Sequence, residues 1–530
     1  MIRLDGHGLT IQQLCDVARH AEKCGLSTSA CARMRQSRDL VESFAKQPRA
    51  IYGINTGFGP LSNTRVGADD LALHQVNLLH HLSVGQGPLF SPVETRAIMC
   101  TRANALARGY SGIRKEVVDL LIGLLNRNIL PEIPSLGSVG ASGDLVPLAH
   151  MARLLVGFGH ARVGGKRVSA KAALQRNSLS PVVLQCKEGL ALVNGTSVMT
   201  ALSCLSVQEA SALLMWTEFL SACMFQLFSS SPEALCEQVH KARGFRGQLV
   251  VAERMASYLR THPVFRRQID EHGWGSHPKS AEAGSEIQDP YSIRCTPQVL
   301  GAIQESLWHV EYMVARELNA STDNPLVFPK TRSIIHCGNF YGLQISMACD
   351  YLRVGMANMA LLVDRQLDRL VNWRYSCGLP PLLSRAAPGL NSGFAGCQLL
   401  ATSLAAECRL LSAPASVQTI PTNANNQDVV SMGCISARLA RSQMEHLWRI
   451  VAIQALAVAQ AADIRGPGVF GRDSRAFHRM IRTVSAPLLA DRPLFEDIQR
   501  VIGLLQSTQA QSKILRPAPS CPTGSAGIVS

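Results

Sequence analysis

The sequence predicts a mainly α protein in which a long helical bundle follows a loop-rich N-terminal portion, and three observations carry that prediction. Ile345, Cys349, Leu352, Met356, Met359, Val363, Leu367 and Leu370 keep one face apolar at helical spacing, which amounts to about seven turns. The stretch from Leu447 to Ala462 is apolar almost all round, a pattern that a helix tolerates only when buried on every side. Period-two strand patterns are few, and no repeat of about 20 to 50 residues is visible.

Taken in order, residues 1 to about 200 alternate short helical patterns with glycine-rich loops, among them Tyr52-Gly53-Ile54-Asn55-Thr56-Gly57-Phe58-Gly59-Pro60. This portion, residues 1–200, is expected to carry loops and chemistry. Residues 201–530 are expected to form the bundle, beginning with long amphipathic patterns such as Val299, Ile303, Leu307, Val310, Val314 and Leu318. Before Gln288-Asp289-Pro290-Tyr291 lies His272-Gly273-Trp274-Gly275-Ser276-His277-Pro278, which reads as a connector or a lid over a nearby site. The tail from Pro517 to Ser530 reads as frayed.

Composition narrows the class. A chain of 530 residues with 47% hydrophobic content can bury a large core. Its 16 cysteines are scattered without a C-x-x-C pair or a His cluster at zinc spacing. Reduced thiols in a cytoplasmic protein, with no metal, are the simplest reading. The N-terminus has no apolar signal core, and no uninterrupted apolar run reaches the ~18 residues of a membrane span; no membrane partner is expected. The formal charge of +14 is spread along the chain, so a solvated basic surface is expected rather than a nucleic-acid interface.

The most informative segment is Gly137-Ser138-Val139-Gly140-Ala141-Ser142-Gly143-Asp144-Leu145-Val146-Pro147-Leu148-Ala149-His150. Attack of the Gly143 amide nitrogen on the Ala141 carbonyl carbon, with loss of two waters, would give a five-membered imidazolone bearing a methylene from Ser142. Gly143 lacks a β-carbon and reaches backbone angles closed to other residues. Asp144 reads as an N-cap, and Pro147 is tolerated in a first turn, so the tripeptide would sit at the positive end of a helix. Two other readings stand beside this one. Ala-Ser-Gly is also a common surface turn, and a phosphate loop is the third reading, although the Gly-Lys-Ser/Thr ending is absent.

With its flanking residues the segment resembles the cofactor-forming loop of the aromatic amino acid lyases, which comprise histidine, phenylalanine and tyrosine ammonia-lyases and related aminomutases. The resemblance implies a helical fold of the aspartase/fumarase-like type and a homotetramer whose active sites draw on several subunits. It also implies a 4-methylidene-imidazol-5-one made from Ala141, Ser142 and Gly143. By the same resemblance Tyr52 is the base that removes the substrate's β-proton, and Gly59, in the same loop, faces the ligand. As a phenol with a reference pKa near 10, Tyr52 needs positive charge or donors beside it.

Lys187-Glu188-Gly189-Leu190-Ala191-Leu192-Val193-Asn194-Gly195-Thr196 places Asn194 at the electrophile and the bound amino acid by resemblance; a helix cap is the other reading. Gln288, Tyr291 and Arg294, in Gln-Asp-Pro-Tyr-Ser-Ile-Arg-Cys, form a third match. Arg294 has the planar fork that grips a carboxylate, although a surface ion pair explains it equally. Ser321-Thr322-Asp323-Asn324-Pro325-Leu326 and Gly338-Asn339-Phe340 complete the set. Asn324 would help hold the substrate carboxylate and Phe340 would pack near the electrophile, while Asn324-Pro325 by itself is a turn signal.

Two positions bear on the substrate. His81-Leu82 resembles the tyrosine-active members, where histidine lyases have Ser-His and phenylalanine lyases Phe-Leu. An imidazole there can pair a para-hydroxyl that would otherwise be buried at a cost of about 1–3 kcal/mol; a histidine satisfied by backbone is the alternative. Asn426-Gln427-Asp428 stands where histidine lyases resemble Gln-Glu-Asp, so neutral Gln427 removes the carboxylate that would engage an imidazole. The resemblance therefore implies elimination of ammonia from L-tyrosine to trans-p-coumarate, or from L-dihydroxyphenylalanine to caffeate. A tyrosine 2,3-aminomutase, a histidine or phenylalanine lyase and a non-catalytic scaffold are the alternatives.

Overall fold

In the computed structural model, residues 1–270, 288–387 and 389–516 are described. The stretch 272–278 and the tail 517–530 lie outside them. The long periodic patterns become long helices: Ser197–Phe228, Thr296–Leu318, Leu343–Val371 and Gly433–Arg465. All eight apolar positions from Ile345 to Leu370 are buried, as are the residues from Ile450 to Ala462. Ser197–Phe228 and Gly433–Arg465 are each apolar and long enough to cross a membrane, yet 83% of the apolar window of each is buried inside the protein. They are therefore core helices by their packing, a continuous burial that the scattered polar residues hide in the sequence.

The chain divides into two compact units. The first joins Met1–Gln208 to Glu311–Asp350 and Pro414–Arg441. This unit takes in two segments from beyond residue 200, which carry Asn324, Phe340, Asn426 and Gln427. Its strands are short. Ile2–Leu4 pairs in parallel with Cys24–Leu26, Gln86–Leu89 pairs antiparallel with Pro134–Leu136, and Leu326–Phe328 forms a hairpin with Ser333–Ile335. Its helices begin at well-made caps: Thr10 and Ser91 close capping boxes before Ile11–His20 and Pro92–Ala107, and these two helices pack together.

The second unit comprises Glu209–Val310, Tyr351–Ala413 and Ser442–Ser530. Its core holds an aromatic cluster in which Phe219 meets Trp216, Tyr258 and Phe477 edge-on. The indole of Trp216 donates to the Leu505 carbonyl at 3.0 Å, so its one polar atom is satisfied. A buried Glu218–Arg254 pair at 2.5 Å shares Arg254 with Gln304. The fifteen cysteines among the described residues are free thiols.

Candidate active site

A cavity of about 1110 Å³ opens in the first unit. Its floor is the tripeptide Ala141-Ser142-Gly143, and apolar walls come from Leu78, Leu82, Val146 and Leu190. Twelve of the fifteen residues singled out from the sequence line it: Tyr52, Gly59, His81, Leu82, Ala141, Ser142, Gly143, Asn194, Asn324, Phe340, Asn426 and Gln427.

The tripeptide is held by a backbone ladder to Gly195. Gly195 N–H donates to Ser142 O at 3.2 Å, and Asp144 N–H donates back to Gly195 O at 2.8 Å. Gly143 adopts φ +71°, and a β-carbon on it would lie 2.1 Å from Gly195 O. Only glycine fits this approach. Ser142 O accepts a second bond, from Asn194 Nδ2 at 3.3 Å. Two donors thus converge on one carbonyl oxygen, an arrangement that stabilises negative charge developing there. On the other side, Gln427 Nε2 donates to Ser142 Oγ at 3.3 Å, the oxygen that dehydration would remove. These features fit an imidazolone at residues 141–143.

Asp144 departs from its expected role. It makes no side-chain cap on the helix that follows it, Leu145–Leu155. Its carboxylate instead accepts from Val198 N and Met199 N, both at 2.9 Å, and so caps Ser197–Phe228. The Gly195 ladder brings that second N-terminus against the tripeptide, so two helices direct their positive ends to this region. Burial pushes the Asp144 carboxyl up to about 7, against bonds from Met199, Ser138 and Val198.

Tyr52 is packed edge-on against Phe58 and His336, at 6.3 and 6.1 Å between ring centroids. Burial raises its pKa, the Gly59 amide bonded to it pulls the other way, and the Asp323 carboxylate raises it further. Asp323 also receives Lys187 Nζ at 2.6 Å in a buried ion pair. Its other oxygen accepts Asn324 N–H at 2.7 Å. Asn324 Oδ1 accepts from Cys337 N at 2.7 Å, which fixes the amide and leaves Nδ2 as a donor.

His81 belongs to the last turn of the helix Leu71–Leu82, and its Nδ1 lies 3.2 Å from Asn77 O. Because a carbonyl only accepts, Nδ1 carries the proton and Nε2 of the neutral ring is an acceptor. One turn pair earlier, His74 stacks on Phe58 at 4.3 Å and bonds Thr56 O at 3.1 Å. It ties the Tyr52 loop to the same helix. The loop bearing Asn426 and Gln427 is preceded by three successive left-handed residues, Asn423, Ala424 and Asn425, at φ +55°, +54° and +61°. Such strain persists only where surrounding contacts enforce it.

Gln288, Tyr291 and Arg294 do not line the cavity. They belong to the second unit, where Gln288 and Tyr291 are exposed and the Arg294 guanidinium lies over the Tyr291 ring at 4.8 Å. The lining also includes His336, Tyr341, Thr422 and Asn423, which sequence reading passed over. His336 and Tyr341 flank the Gly338-Asn339-Phe340 motif, and that proximity was the available signal. Among the described residues no group of three or more His, Cys, Asp or Glu is arranged to hold a metal.

A helical protein whose cavity floor is an Ala-Ser-Gly turn under two carbonyl-directed donors has the makings of an enzyme that works through an electrophile. The chain belongs to the aromatic amino acid lyase family, whose sequence model matches residues 9–483. It is 37% identical over 504 residues to the histidine ammonia-lyase of Caldanaerobacter subterraneus subsp. tengcongensis, covering 95% of this chain and 96% of that one. It is 40% identical over 509 residues to the histidine ammonia-lyase of Anaeromyxobacter sp. (strain K), covering 95% and 98%. The tyrosine aminomutase structure from Streptomyces globisporus superposes with a TM-score of 0.90 at 35% identity, over 98% of this chain and 99% of that one.

Proposed function

We propose that the protein is a tyrosine ammonia-lyase that converts L-tyrosine to trans-p-coumarate and ammonia, with L-dihydroxyphenylalanine as a second substrate. The observation that carries this reading is His81. Its Nδ1–H is committed to Asn77 O, so Nε2 is left to accept a phenolic hydroxyl within the cavity floored by Ala141-Ser142-Gly143. The neutral amide of Gln427 stands beside Ser142 where an imidazole substrate would call for a carboxylate.

The 4-methylidene-imidazol-5-one made from residues 141–143 would supply an electrophilic carbon for the substrate amine. The remaining roles belong to ordinary side chains. Asn194 Oδ1 is buried without a partner, a state that costs about 1–3 kcal/mol and that a bound amine would relieve. Asn324 Nδ2 donates to the substrate carboxylate. Tyr52 takes the β-proton on its phenolic oxygen, and the Gly59 amide stabilises the phenolate that must form first.

We place Gln288, Tyr291 and Arg294 of a second copy at this cavity, within a homotetramer. Two features support association. The helix Leu343–Val371 exposes Met347, Tyr351, Val354 and Leu361 at helical spacing opposite its buried face, and Ala395–Leu410 exposes Leu399 and Leu410. Apolar stripes of this kind are covered in stable assemblies.

A second reading, a tyrosine 2,3-aminomutase, is favoured by the likeness to the aminomutase structure. A third, a histidine lyase, is favoured by the curated relatives and by Asp428, a carboxylate in the cavity lining. Purified protein incubated separately with tyrosine, dihydroxyphenylalanine, phenylalanine and histidine decides among them. Near-ultraviolet absorbance of p-coumarate or caffeate as main product supports the proposal. Predominant β-tyrosine on chromatography selects the mutase, and predominant urocanate the histidine lyase.

A further inference from the structure

The Asn194–Gly195 peptide group faces two ways. Its N–H donates to Ser142 O at 3.2 Å, and its carbonyl oxygen accepts from Arg102 Nη2 at 2.8 Å. Arg102 comes from the helix Pro92–Ala107 and is 1% exposed. It also donates through Nη2 to Ala191 O, and through Nη1 to Ser197 Oγ at 3.4 Å. One guanidinium therefore clamps the end of the helix Glu188–Val193 to the start of Ser197–Phe228, and the turn between them carries both donors to Ser142 O.

We propose that Arg102 is a positioning residue for the electrophile: it fixes and polarises the Asn194–Gly195 peptide so that Gly195 N–H and Asn194 Nδ2 are held on Ser142 O. This rests on the imidazolone reading of residues 141–143. A cation donating to a peptide carbonyl draws electron density toward the oxygen and makes the N–H of the same peptide a stronger donor. The effect is largest away from water, as it is here. Burial pulls the Arg102 pKa down to about 10, opposed by the carboxylates of Asp323 and Asp144, so the group stays charged at neutral pH. Gly195 is part of the device, because a β-carbon there would lie 2.5 Å from Arg102 Nη1. Lysine would keep the charge but not the fork that spans Ala191, Asn194 and Ser197.

The test uses Arg102→Lys and Arg102→Gln in the full chain, each checked for folding by thermal melting and for loss of two waters by intact mass. The rate at which cyanide adds to the protein, followed by mass, then reads the electrophile without any substrate. Folded variants that have lost both waters should add cyanide about 10- to 100-fold more slowly, somewhat less than removal of a direct oxyanion donor, with Lys the milder change. Their kcat should fall by a larger factor than their KM for the amino acid rises. Addition at the wild-type rate overturns the assignment, as does an effect confined to KM. Failure of both variants to fold overturns it in favour of a purely structural role, and folded variants that keep both waters overturn it in favour of a role in forming the electrophile rather than in activating it. A wild-type mass with no two-water deficit is distinguishable from all of these and sinks the imidazolone reading itself.

Discussion

Gln427 Nε2 donates to Ser142 Oγ at 3.3 Å, joining residues 285 positions apart. A residue of the cavity lining therefore touches the serine of the Ala141-Ser142-Gly143 turn. Replacing Gln427 by Glu puts a carboxylate at that point. It is expected to raise urocanate formation relative to p-coumarate, measured as the ratio of kcat/KM for histidine and tyrosine. An unchanged ratio removes Gln427 from the specificity argument.

His81→Phe removes the acceptor for a ring hydroxyl while keeping an apolar shape. The unpaired hydroxyl costs about 1–3 kcal/mol, or roughly 5- to 150-fold in kcat/KM for tyrosine. Phenylalanine should lose nothing or gain, so competition between the two amino acids reads the effect directly. Equal losses on both substrates would mean that His81 serves only the fold.

Tyr52→Phe should lower kcat by about 10²- to 10⁴-fold, the usual worth of a general base, with the two-water mass deficit intact. The wild-type rate should rise with pH on the alkaline side, since burial and Asp323 raise the phenol's pKa and only the ionised form accepts a proton. A flat alkaline limb, measured as kcat/KM against pH, would exclude the phenolate as base.

Asp144 is held near 7 in the folded protein, above its ordinary carboxylate value of 3.8. The native state therefore keeps this proton where the unfolded chain has lost it. Its contribution to stability is full below about pH 4, declines as pH rises through about 7, and is constant beyond. Glu218, also pushed up to about 7, contributes with the same sign. Asp144→Asn should flatten part of the pH dependence of the denaturant midpoint in this window.

Lys187 and Asp323 form a pair buried on both sides. Asp323→Asn strands the ammonium and should cost about 3–5 kcal/mol, whereas the double change Lys187→Met with Asp323→Leu should cost much less. Chemical denaturation of the three proteins measures the difference. Similar losses in both would place the importance of Asp323 in its bond to Asn324 N–H.

Much of the site was legible because its chemistry is written in short contiguous runs. Ala141-Ser142-Gly143, the Tyr52 loop, Asn194 and Asn324 each read as a turn, a cap or a packed ring in isolation, and it was their resemblance to family motifs that singled them out; the cavity gathers them. The partners behind them were not legible. Arg102 sits in a helix with no motif around it, and Lys187 and Asp323 lie 136 residues apart. Asp144 looked like a local cap because local capping is the commoner event; the Gly195 ladder gave it a different helix. Gln288, Tyr291 and Arg294 form a clear motif, yet they do not line the cavity of the single chain.

The sequence by itself determined the mainly α class, the long helices and the identity of the tripeptide, since helical periodicity and residue chemistry are local properties. Tertiary structure decided how the tripeptide is held: which carbonyl receives two donors, which helix Asp144 caps, and which cation stands behind Asn194. Those depend on backbone groups brought together from distant segments, and a backbone donor leaves no trace in the identity of its residue.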